Sequence, residues 1–207
     1  MMAALRVRGP LAWAAVALLA GCAAGPAPKN HFYRLQADAP EASLETPVFP
    51  GIVEVDLFRS DALAGERLFL DRPEPDSPEI HRLPYHYWVD APTRMLQAEV
   101  ATYLRAVGAA DRVITPEIRV EPDFVLRGRI VRLERVLGGP APGVNVELEI
   151  SVVRERGRQL VLLVHYDEEE IAEGDSIEAA VLAFNRVITR ILERFVADAL
   201  SEQARAG

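Results

Sequence analysis

Cys22 is the only cysteine in the chain, and it follows Leu19-Ala20-Gly21 at the end of an apolar run. A small-residue site ending in cysteine, directly behind a signal-type hydrophobic segment, is the acceptor sequence for bacterial lipid modification. A diacylglycerol joins the sulfur as a thioether, the chain is cut before the cysteine, and the new amine usually takes a further acyl chain such as palmitate. Arg6 and Arg8 supply the positive start of the signal, and Leu11 to Ala20 its apolar stretch. That stretch is about ten residues, against the roughly 20 a membrane-spanning helix needs. An ordinary secretory cleavage site would leave a lone free thiol at the head of an exported chain. Each buried methylene contributes about 0.8 kcal/mol, so two or three acyl chains hold a protein on a membrane essentially permanently. The expected division is therefore a signal peptide over 1–21, a lipidated tether over 22–30 and one folded domain over 31–203.

The other reactive residues point to no reaction. His31, His81, His86 and His165 lack a helical i, i+4 relation and a third ligand at useful spacing, so solvated or core histidines are expected. The run Asp167-Glu168-Glu169-Glu170 reads as a solvated face behind a strand. The glycine-rich segment 138–143 lacks the Lys-Ser/Thr ending of a phosphate loop and is read as a hairpin tip. No G-x-S-x-G, H-E-x-x-H or C-x-x-C occurs. No catalytic residue, metal or cofactor is expected beyond the lipid on Cys22, and the chain is not read as an enzyme. Tyr85-His86-Tyr87-Trp88 is more interesting. Trp88 suits an aromatic plug between helix and sheet, while Tyr85, Tyr87 and Trp88 together would also suit a hydrophobic lip for a lipid or a partner protein.

These residues need a scaffold, and the remaining pattern supplies one. Half of the chain is apolar and a quarter charged, as in an ordinary folded domain. Loss of Arg6 and Arg8 with the signal takes the net charge from −8 to −10, which argues against nucleic acid and against lying flat on anionic lipid. Period-two alternation predicts strands over 52–58 and 144–153. Further strands are expected at 31–35, 67–70, 80–83, 113–114, 124–133 and 160–166, with a Pro-rich exposed loop over 71–79. A first helix is expected after an N-cap at Asp90, with Pro92 in its first turn, Gly108 behind its end and a stripe at Leu96, Val100, Tyr103 and Val107. Asp175 and Glu178 have capping-box spacing, ahead of a stripe at Ile177, Val181, Phe184, Ile188, Ile191 and Phe195. That stripe fits a sheet-packed helix better than a coiled-coil seam. The expected fold is α+β: a single-domain sandwich of a mixed or antiparallel sheet with both helices on one face.

In order, these segments resemble the ABC-type transport auxiliary lipoprotein component family (PqiC/YmbA-like). They are the lipoprotein cysteine, the aromatic strand Phe32-Tyr33-Arg34-Leu35, the 52–58 strand, and Tyr85-His86-Tyr87-Trp88 ahead of Pro92 and Met95-Leu96. Phe124-Val125-Leu126-Arg127-Gly128 and a final amphipathic helix complete the series. The resemblance covers essentially the whole mature chain, although the 71–79 loop is long for the family. It implies an adaptor at the periplasmic face of the outer membrane. Its partners would be an MCE-domain protein with its ABC permease and ATPase, its cargo lipid or another hydrophobic molecule, and a homo-oligomeric ring its assembly. The alternative is a periplasmic lipid carrier or chaperone acting alone, which needs an apolar cavity between helices and sheet.

Overall fold

The computed structural model describes residues 28–61 and 63–206; the signal peptide, Leu19, Ala20, Gly21 and Cys22 lie outside them. The backbone of the domain is a meander of three long antiparallel strands, β7 (Phe124–Val136), β8 (Gly143–Arg154) and β9 (Gln159–Ile171). The alternation in β8 works as expected: Val144, Val146, Leu148, Ile150 and Val152 are each no more than 1% exposed. The other edge of β7 is covered by parallel strands from the first half of the chain, β2 (Phe49–Val55), then β3 (Arg59–Ser60), then β4 (Leu68–Arg72). β6 (Ala110–Ile114) extends the sheet beyond β2. β5 (His81–Trp88) pairs antiparallel with β4, and β1 (His31–Tyr33) pairs parallel with β5 at the outer edge. The described residues thus form one mixed nine-stranded sheet with two α-helices, α1 (Pro92–Val107) and α2 (Ile177–Ala206).

Both helices bury their stripes in one continuous core. Leu96, Val100, Tyr103 and Val107 of α1 are all at most 5% exposed, and Gln97 Nε2 donates to the Val55 carbonyl of β2 at 3.0 Å. The six stripe residues of α2 are buried against the sheet, where Phe195 meets Phe49 and Phe184 meets Trp88 and Phe69. Between the helices runs the chain after β1. Leu35 is wholly buried, Ala37 N–H donates to Glu99 of α1, and the Gln36 and Asp38 N–H groups donate to Asn185 and Thr189 of α2.

Several boundaries differ from the sequence expectation. Asp90 is not the cap of α1. Pro92 at the first helical position demands an extended residue before it, which is Ala91, and Asp90 Oδ1 accepts the Ala91 N–H instead. The end is as expected, with Gly108 at φ 70° donating back to the last turn. At α2, Ser176 Oγ accepts the Ala179 N–H at 3.0 Å, while the Asp175 carbonyl accepts from Arg135; no capping box forms. Asp71 and Arg72 belong to β4 and not to the Pro-rich loop. Each meets a partner from β7: Arg135 Nη2 lies 2.7 Å from Asp71 Oδ2, and Arg72 Nη2 lies 2.7 Å from Glu134 Oε2. A bulge between Ile130 and Arg132 makes this possible, because it reverses the alternation of β7 and turns Arg135 inward.

The acidic run is also not a solvated face. β9 extends through Ile171, so alternate side chains diverge. Glu168 and Glu170 meet Arg186, Arg190 and Arg194 of α2, and Asp167 accepts from Asn145 on the other side. Burial alone would raise the Glu170 carboxyl, but the Arg190 and Arg186 guanidiniums outweigh it and hold the group below its ordinary value.

Candidate functional site

Trp88 and the two tyrosines part company in the structure. Trp88 is 2% exposed and stacks on Phe69 at 4.5 Å between ring centroids, with Phe184 of α2 edge-on at 5.6 Å. It plugs the core and offers nothing to a partner. Tyr87, one residue earlier on a strand whose side chains alternate, points to the opposite face and stacks on Phe32 of β1 at 5.7 Å. Phe32 is 56% exposed and Tyr85 is 44% exposed. The surface part of the aromatic segment is therefore Phe32, Tyr85 and Tyr87.

Tyr85 is placed by an irregularity. β4 and β5 pair at Leu68↔Tyr87 and next at Phe69↔Leu83, so Pro84, Tyr85 and His86 bulge out of the ladder. Pro84 has no N–H to give to a ladder, which favours a bulge here. Tyr85 adopts φ 68°, a left-handed conformation that is a genuine outlier for a bulky side chain. Phe32 joins the two tyrosines only through the parallel pairing of β1 with β5, which brings together segments more than 50 residues apart. Pro84 inside an aromatic strand was the one local signal.

Behind this edge, on the inner face, sits a polar cluster. His86 stacks between His31 at 5.0 Å and Tyr33 at 5.8 Å, and its Nδ1 shares a 2.9 Å hydrogen bond with the Tyr33 hydroxyl. Burial, then the neighbouring His31, lowers the proton affinity of His86. Burial and the Glu178 carboxylate push the Tyr33 phenol up. The cluster therefore keeps Tyr33 as a neutral phenol and favours neutral imidazole at His86, an arrangement suited to holding strands together and not to generating a nucleophile. The Asp71–Arg135 pair lies beside it, with both side chains under 10% exposed.

The other histidines go elsewhere. His81 pairs with Glu79 on the surface, and His165 lies on the outer face of β9 beside Glu147. Among the described residues no three metal-ligating side chains converge. Two concavities open at the surface of the described residues. One of about 290 Å³ opens between Pro75 and the 138–143 hairpin tip, and one of about 530 Å³ is walled by Glu54, Glu121, Asp123, Arg127 and Glu155.

Comparison with known proteins adds a family and a fold. The family model for the ABC-type transport auxiliary lipoprotein component matches residues 33–196. Among solved structures, the chain is similar to protein XCC0632 from Xanthomonas campestris, a DUF330 protein, at 16% identity and a TM-score of 0.73. That match covers 85% of this chain and 98% of the other. A second solved structure, of an uncharacterized protein, matches at 9% identity and a TM-score of 0.65, over 82% of this chain and 98% of that one. At such identities the likeness is one of fold. No curated protein matches the sequence.

Proposed function

Because the chain belongs to the family of ABC-type transport auxiliary lipoprotein components, we propose that it is the membrane-anchored adaptor of an MCE-type transport system that carries lipid or other hydrophobic cargo between the two membranes. Acyl chains on Cys22 fix it to the outer membrane, and Ala23 supports that location, since an aspartate there would favour retention at the inner membrane. The domain faces the periplasm and docks an MCE-domain protein, whose permease and ATPase supply the work. The family match over 33–196 carries this reading.

A lipid crossing water exposes apolar surface at about 25 cal/mol per square ångström, so it needs a sheltered route. A domain held at the receiving membrane turns docking of that route into an effectively intramolecular event. The packing favours an adaptor over a solitary carrier. The space between helices and sheet, where a carrier would keep acyl chains, is filled by Phe69, Trp88, Phe184, Phe195 and Leu96, all at most 2% exposed.

The test is cross-linking in envelope membranes followed by purification of the lipidated protein. An MCE-domain protein, a permease and an ATPase should be recovered together, and Cys22→Ala should abolish both labelled fatty-acid incorporation and their recovery. A purified complex lacking all three would refute the adaptor reading.

A further inference from the structure

The aromatic edge lies close in sequence to the anchor. Phe32 is ten residues past Cys22, and each residue spans at most about 3.5 Å, so this edge stays within about 35 Å of the lipidated position. It is also locally unlike the rest of the protein. The chain carries a net charge of −8, yet residues 28–34 hold Lys29 and Arg34 and no acid. Residues 80–89 likewise hold no acid, and their one arginine, Arg82, is paired with Glu66. Lys29 is the only lysine in the sequence, and it stands exposed at the junction of tether and domain. Three of the four histidines lie in these two strands as well.

On the assumption that Cys22 is lipidated, as above, we propose that Phe32, Tyr85 and Tyr87, flanked by Lys29 and Arg34, form a membrane-interface contact that seats the β1–β5 edge of the domain on a phospholipid surface.

The chemistry fits each part. Tyrosine rings favour the boundary between acyl chains and head groups, where one end of the ring is apolar and the hydroxyl stays wet. Phe32, stacked on Tyr87, adds a purely apolar member. Lysine and arginine stems lie along apolar surface while their charged ends reach the phosphates. Among the described residues no strand pairs with the outer side of β1, and Phe32 and Tyr85 stand 56% and 44% exposed. The strained backbone at Tyr85 has a use in this setting. A left-handed bulky residue persists only where its surroundings hold it, and here the bulge keeps an aromatic ring directed outward. Three aromatic side chains make a weak contact alone. Tethering by nine residues raises the local concentration of bilayer enough to keep such a contact occupied.

The test uses the lipidated full-length product in vesicles of phosphatidylethanolamine and phosphatidylglycerol, with and without brominated lipid as a quencher. Phe32→Trp and Tyr85→Trp report on the edge. Leu163→Trp, on exposed β9 five strands across the sheet, is the control, and buried Trp88 contributes a constant background. Brominated lipid should cut the added emission of both edge variants by roughly half and leave the control within about a tenth of its starting value. If Tyr85→Trp fails to fold, Phe32→Trp alone decides. Variants that float with the vesicles but are quenched no more than the control overturn the contact while leaving the anchor intact, and the edge is then free for a protein. Wild-type protein that does not float overturns the anchoring reading, and the contact with it.

Discussion

At Gly128 of β7 the space for a side chain is already taken by the Phe58 ring: a Cβ there would stand 2.1 Å from Phe58 Cε1. Phe58 is itself 2% exposed and has nowhere to retreat without opening the core. Gly128→Ala should therefore cost about 1–3 kcal/mol, read as a lowered urea midpoint at unchanged slope, and Phe58→Leu added to it should recover part of the loss. His86 makes a second residue-scale prediction. It stacks between His31 and Tyr33, within electrostatic reach of Asp71, Arg135 and Glu178, and its proton affinity is lower in the fold than in the open chain. The unfolded chain then takes up the proton first. The stability His86 contributes is complete above its unfolded value of about 6.5 and declines as pH falls through that value toward the lower folded one. Melting temperatures of the wild type should drop more steeply than those of His86→Gln between about pH 7 and 5.5, and parallel slopes would remove His86 from control of acid stability.

Strand β4 is tied to β7 by ion pairs as well as by its apolar residues. Arg135 Nε and Nη2 donate to the two oxygens of Asp71 at 2.9 and 2.7 Å in a nearly dry setting. Removing one partner leaves the other charge buried alone, so Asp71→Leu or Arg135→Met should each destabilise by roughly 3–5 kcal/mol, while the double variant should lie much closer to wild type. A double-mutant cycle from denaturant curves measures this directly. These elements also mark how far the sequence could be read. β8 and the stripes of α1 and α2 were legible because their period is regular and their inner residues are uniformly apolar. The end of β7 was not, because one inserted residue near Val131 reverses the alternation and turns a charged Arg135 inward. The prolines after Asp71 make it read as loop, whereas the partner that holds it in a strand lies 64 residues away. The same holds at the aromatic edge. Tyr85, Tyr87 and Trp88 were identifiable from type alone, but the division into one buried ring and two surface rings depends on a three-residue bulge. Phe32 joins them only through a strand pairing that no local pattern announces.

Across the whole molecule a single core joins both helices to the sheet, so the domain should unfold as one unit. Phe195 tests this from the far end of the fold. It is fully buried near Phe49 of β2, and Phe195→Ala should cost about 3–5 kcal/mol while far- and near-ultraviolet circular dichroism transitions stay coincident. Separated transitions would mean that α2 melts independently. The route of the chain after β1 has a mechanical side. Tension applied at Asn30 reaches first a three-residue strand at the rim of the sheet, whose loss uncovers little. It then meets Leu35 and the amides of residues 36–38, clamped from both sides by Glu99, Asn185 and Thr189. The strand can peel like a fuse while the clamp arrests the tear, so a strained leash lengthens by a few residues before the body of the protein feels the load.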